Sequence, residues 1–213
     1  MGRGTLYGPM YSMLKRLGKD EQWARYRGGW YNDAVTIGKY KVQMYEDDND
    51  VDMTIWNPDR PCVVIVLDKK LDMTATMNVV NYDKRCTTDG EMKRGSGTVD
   101  MIHFAIETMK IHGAKRIHLT DESVIICENG KKVLLGLMYF IKYGMTWYEK
   151  YFGFYPIGDR VSDYEDAKKK RLTMDIAFLQ QQSCEYFAGH QKELEKQVGL
   201  AGLPYIAWEK NLE

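Results

Sequence analysis

The sequence lacks net charge, long apolar runs and closely spaced cysteines, and each lack excludes a class of function. Among 213 residues, 30 Lys and Arg stand against 30 Asp and Glu. That balance argues against holding nucleic acid or an anionic membrane by bulk electrostatics. No run of 18 apolar residues occurs, so no membrane-spanning helix is expected. The start, MGRGTLYGPM, has no signal-peptide apolar core, and Leu6 stands where a myristoylation start needs Ser or Thr. The expectation is a soluble protein made and kept inside a cell.

Cys62, Cys86, Cys127 and Cys184 are far apart, none forms a C-x-x-C pair, and no N-x-S/T site is present. A dense secreted disulfide scaffold is therefore excluded, and Cys62 and Cys127, inside apolar runs, read as buried inert thiols. No two of His103, His112, His118 and His190 have H-x-x-x-H spacing, and no metal site is expected. What is present is core material. The chain is 44% hydrophobic and 12% aromatic, which excludes disorder as its general state.

Periodicity organises the chain. Met10, Leu14 and Leu17 predict one or two short helices over residues 9–27. Tyr40, Val42 and Met44 then alternate with polar residues, as do Val51, Met53 and Ile55, predicting a hairpin about Asp47-Asp48-Asn49-Asp50. Asp48, Asp50 and Asp52 are spaced like EF-hand ligands, but Met53 stands where that loop needs Gly, so the stretch reads as a solvated turn. Residues 62–67 (CVVIVL) are apolar on both faces, as in a central strand, and 74–82 give a fourth strand. A polar, loose stretch runs from Lys84 to Lys93. Beyond it Thr98 reads as the N-cap of a helix burying Val99, Ile102, Ile106 and Met109, followed by a strand over 115–120.

Residues 131–143 predict a second helix, and Thr146 and Glu149 a capping box for a short helix closed by Gly153. A further box at Ser162 and Glu165 opens one long helix to about Val198, ~50 Å at 1.5 Å per residue, with Leu172, Ile176, Leu179 and Tyr186 on one stripe. Within it Lys168-Lys169-Lys170-Arg171 reads as a solvated face. His103 and His112, on or beside the helix after the glycine turn, read as structural or exposed. The aromatic run over 147–155 reads as a core corner.

The residues closest to chemistry are Arg94-Gly95-Ser96-Gly97-Thr98, a glycine turn leading into a helix whose first N–H groups could receive a phosphate. A meander, then this turn, a helix, a strand, a helix and WYEKYFGF resembles the GNAT superfamily of acyl-CoA-dependent N-acetyltransferases over residues 35–157. The resemblance implies an α/β (α+β) fold: a mixed sheet made from an antiparallel meander followed by β-α-β-α. It implies that Arg94 to Thr98 hold the coenzyme A pyrophosphate and that Tyr148 is the general acid for the leaving thiolate. Asp83, Asp89 and Glu91 are neighbouring candidates for the base. The segment YGMTWYEKYFGF also resembles proteins of large double-stranded DNA viruses, which implies a viral factory or a virion as the setting.

The sequence departs from the family pattern where the chemistry lies. Val99 replaces the last small residue of the turn, polar CTTDGEMK replaces the strand before it, and WYEKYFGF carries one extra residue. The expected organisation is an N-terminal helical extension (1–30), a GNAT-like domain (31–160) and a long C-terminal helix with an aromatic tail (161–213). The expected function is a non-catalytic structural or interaction protein, a minor capsid component located in the host cytoplasm or the virion. Its partners would be other proteins, reached through the terminal extensions, with no cofactor. Thirteen methionines and fifteen tyrosines suit such interfaces. The alternative is a working acetyltransferase using acetyl-CoA, and a strand over residues 86–99 would favour it where a loop favours the structural role.

Overall fold

The computed structural model describes residues 34–200 and 206–212. The expected helices over 9–27, and the whole N-terminal extension (1–30), lie outside the described residues. The described chain is mixed α/β, with a large, mostly antiparallel sheet and six helices. It divides into two compact units, one reaching Ile117 and including the C-terminal residues from Asn211, the other running from His118 to Lys210. That division falls inside the expected 31–160 segment.

In the first unit, alternation of buried and solvated side chains makes strands and their order. β1 (Val35–Ile37), β2 (Tyr40–Glu46), β3 (Asp50–Trp56), β4 (Pro61–Asp68) and β5 (Thr74–Val80) pair in sequence as an antiparallel meander. Val42, Val51, Met53, Ile55, Ile65 and Leu67 are fully buried between them. The Asp47 turn is closed by its own side chain, which accepts from the Asn49 and Asp50 amides at 2.7 and 2.9 Å. Local capping of this kind needs no cation. α1 (Ser96–Ile111) lies against β4 and buries Met101, Ile102, Ala105, Ile106 and Met109.

The stretch from Lys84 to Lys93 is anchored rather than loose. A short 3-10 turn (Lys84–Cys86) carries Cys86 into a disulfide with Cys62 on β4. The Thr88 amide donates to the Lys39 carbonyl, and the Met92 amide to that of Lys84. The reading of Cys62 as an inert thiol is thus corrected, and that of Cys127 likewise, since Cys127 is bonded to Cys184. The chain folds these pairs to Cα separations of 6.0 and 5.6 Å across 24 and 57 residues. Spacing along a sequence carries no trace of such pairings.

β6 (Arg116–Thr120) leads into the second unit. There β7 (Val124–Ile126) and β8 (Lys132–Leu134) form an antiparallel hairpin, followed by α2 (Leu135–Tyr143) and α3 (Trp147–Phe152). The helix expected from residue 131 therefore begins at Leu135, its first turn being strand instead: Val133 is buried while Lys132 is exposed, a period of two. The Thr146–Glu149 capping box is present with both of its hydrogen bonds, and Gly153 ends α3 in the left-handed region at φ +68°. β9 (Tyr155–Ile157) pairs antiparallel with β10 (Ala207–Asn211).

The single long C-terminal helix is replaced by three: α4 (Val161–Arg171), α5 (Ile176–Gln181) and α6 (Cys184–Val198). The breaks have local causes. Asp175 caps α5 by accepting from the Phe178 amide, and Ser183 caps α6 by accepting from that of Tyr186. The proposed box at Ser162 is not used, since α4 starts one residue earlier with no side-chain cap. The expected stripe dissolves as well, with Leu179 buried and Leu172 74% exposed. The basic run is also divided. Arg171 is buried, its Nε donating to the Ile141 carbonyl at 2.7 Å and a terminal nitrogen to that of Lys142 at 2.9 Å, so it finishes the C-terminus of α2 rather than facing solvent.

Candidate functional site

The glycine turn is a helix N-terminus whose space above Gly97 is filled and two of whose amides, those of Gly97 and Val99, donate within the chain. Residues 87–95 form no strand. Gly95 is the N-cap of α1 at φ +81°, a conformation that glycine adopts without steric cost. The Gly97 amide donates to the Lys93 carbonyl and the Val99 amide to that of Gly95, both at 3.0 Å. Above Gly97 lies the side chain of Met92, 4% exposed, whose Cγ would stand 2.6 Å from a Cβ added there. The lack of a side chain at Gly97 is therefore used by a methionine of the same chain. Arg94, Gly95 and Ser96 are exposed, whereas Thr98 is buried.

The proposed bases share this unit, and two are tuned away from accepting protons. Arg85 donates to Asp83 from its guanidinium and its backbone amide, holding that carboxyl at about 2. The Thr87 hydroxyl and the Glu91 amide hold Asp89 below the usual carboxylate range. A general base works best with a pKa near the working pH, and both are held further from it than an ordinary carboxylate. Glu91 is an exposed side chain. Of the histidines, His112 is buried beside Glu46, Nδ1 to Oε2 3.3 Å, and burial lowers its pKa; His103 is exposed on α1.

Tyr148 belongs to the second unit, on the first turn of α3. It is buried among Trp147, Phe152 and Phe154, whose rings meet it at 5.0, 6.0 and 5.9 Å. The core-corner reading holds for these four residues, while Tyr151 and Tyr155 stand exposed. The Tyr148 hydroxyl lies 3.5 Å from Ser123 Oγ. Burial, together with the charge of Asp121, pushes its pKa above the ordinary tyrosine value. It keeps its proton inside the protein, facing a serine of its own chain.

Two polar groupings in this unit escaped sequence reasoning. Asp121, just beyond β6, is 4% exposed; its Oδ1 accepts from the Ser123 amide at 3.0 Å while its Oδ2 has no partner among the described residues. Burial raises this carboxyl to about 6. The second grouping is a row across strands, His118 on β6, Glu209 on β10 and Tyr155 on β9. Glu209 lies 2.6 Å from His118 Nε2 and accepts from the Tyr155 hydroxyl. A lone Asp after a strand, or a His and a Glu separated by 91 positions, gives no local signal. Among the described residues no cluster of three His, Cys, Asp or Glu is arranged to hold a metal ion, and no helix is long and apolar enough to cross a membrane.

No family model matches the chain, and no curated protein or solved structure is detectably similar to it.

Proposed function

We propose that this chain is a non-catalytic structural or interaction protein whose fold is a degenerate relative of the GNAT type. The observation that carries the reading is Met92 over Gly97. A phosphate-binding turn must leave room above its small residues and amides free to donate. Here the room holds a methionine, and the Gly97 and Val99 amides serve the chain itself. The loop over residues 87–95 and the burial of Tyr148 support the same reading. The contacts we assign to partners lie on the C-terminal helical region, where Leu172 and Phe178 are exposed.

The setting we propose is the particle of a large DNA virus, on the resemblance of YGMTWYEKYFGF. Pairing of all four cysteines suits an oxidising particle better than reducing cytosol. A working acetyltransferase is the second reading, favoured by one observation: Gly95 and Ser96 stand exposed at the N-terminus of α1. The test of the structural role is mass spectrometry of purified, salt-washed particles. Stoichiometric retention of the chain supports it. Its absence from particles, with the chain found free in the infected cell, overturns it.

A further inference from the structure

Among the described residues, the hairpin β7–β8 has a helix side chain bonded to one edge and no strand along the other. In an antiparallel pair, residues alternate between pointing their main-chain groups at the partner strand and pointing them away. The Leu135 amide donates to the Ser123 carbonyl and the Cys127 amide to that of Lys131, each at 2.8 Å. Ser123, Ile125 and Cys127 therefore face β8, and the N–H and C=O groups of Val124 and Ile126 face outward. On the far side of β8 the corresponding outward amide, that of Leu134, is taken by the Gln191 side chain of α6 at 3.2 Å. Beside β7 no strand pairs among the described residues.

This edge is also apolar and tethered. Val124 and Ile126 are 48% and 57% exposed. The hairpin is fastened to α6 by the Cys127–Cys184 disulfide and by Glu185, which accepts from the Glu128 amide at 3.1 Å. A strand held in its paired conformation loses little entropy on gaining a neighbour. Natural folds blunt such edges by shortness, lysine, proline or a covering element, and β7 has only its shortness.

We infer that β7 is a docking edge for an extended segment of another protein, with apolar residues at alternate positions and basic residues at its ends. This rests on the interaction role proposed above and names its partner. Charge selects the occupant. Glu122 and Glu128, both exposed, stand at the two ends of β7. An antiparallel strand centred on Ile125 sets its own ends against them. A second copy would place Glu128 against Glu122, and like charges directly opposed destabilise a pair. Lysine or arginine at those positions is attracted instead, while main-chain bonds supply affinity.

The experiment uses the full chain, disulfides intact, and fluorescently labelled peptides with valine at alternate positions. One peptide is flanked by lysine and the other by glutamate. The expected result is saturable binding of the lysine-flanked peptide, at least about tenfold tighter than the other. The surface variant Glu122→Lys/Glu128→Lys should reverse that preference. Ile126→Pro, which removes one outward N–H and leaves the Ile125 bonds to β8, should abolish binding. No binding of either peptide, equal binding of both, or self-association of the chain that Ile126→Pro removes would overturn the inference. Normal incorporation of Glu122→Lys/Glu128→Lys into particles would also overturn it while leaving the structural role standing. Absence of the wild-type chain from particles would remove that role instead.

Discussion

Replacing Asp121 with asparagine should stabilise the protein, and by an amount that depends on pH. The carboxyl titrates at about 6 in the folded chain, against its ordinary 3.8, because burial penalises its charge. Below the ordinary value it is neutral in both states and costs nothing. As pH rises, the unfolded chain releases the proton first, so the folded state loses stability until pH passes about 6. A difference of this size corresponds to about 3 kcal/mol once the group is fully ionised. Asparagine keeps the acceptor for the Ser123 amide, carries no charge, and brings an N–H₂ group to the side where Oδ2 has no partner. The assay is urea unfolding of both proteins from pH 4 to pH 8 with the disulfides intact, following the transition that reports the second unit. The stability difference should be about 0.5 kcal/mol at pH 4 and rise to about 3 kcal/mol above pH 7. A difference independent of pH, or an asparagine variant less stable throughout, would refute the claim that Asp121 is a buried, half-satisfied acid.

Two further substitutions probe the packing that the functional reading depends on. Gly97→Ala pushes a methyl group against Met92 Cγ and should cost about 1 kcal/mol; on a Met92→Ala background the same change should stabilise α1, as alanine does in helices. Equal effects in both backgrounds, measured by thermal unfolding, would mean that Met92 does not occupy the turn. Removing Cys127–Cys184 should cost more than removing Cys62–Cys86, about 4 against about 3 kcal/mol, because it closes the longer loop. Denaturation of the paired serine variants checks the order.

Side-chain period made the meander legible. Val42, Val51, Met53 and Ile55 lie where alternation puts them, and the Thr146 capping box and Gly153 lie where their chemistry demands. The C-terminal region misled because helix periodicity continues through Leu172 and Ile176. The Asp175 and Ser183 caps that interrupt it look, in one dimension, like ordinary polar residues of a surface face. The hairpin at β7 and β8 was hidden because its strands are three residues each, too short for alternation to register. Long-range pairings left no signal: two disulfides, the Arg171 cap on α2, and His118 with Glu209. The glycine turn is the instructive case. Its residues were visible, but that Gly97 makes room for Met92 is a fact of packing alone.

The central claim is that the turn over residues 94–98 holds no coenzyme. It is tested by isothermal titration of the folded, disulfide-intact protein with acetyl-CoA, with a thermal-shift scan of the same sample. The account predicts no heat of binding and no stabilisation at millimolar acetyl-CoA. Saturable micromolar binding that raises the unfolding temperature, and that weakens when a larger side chain replaces Gly97, would contradict it.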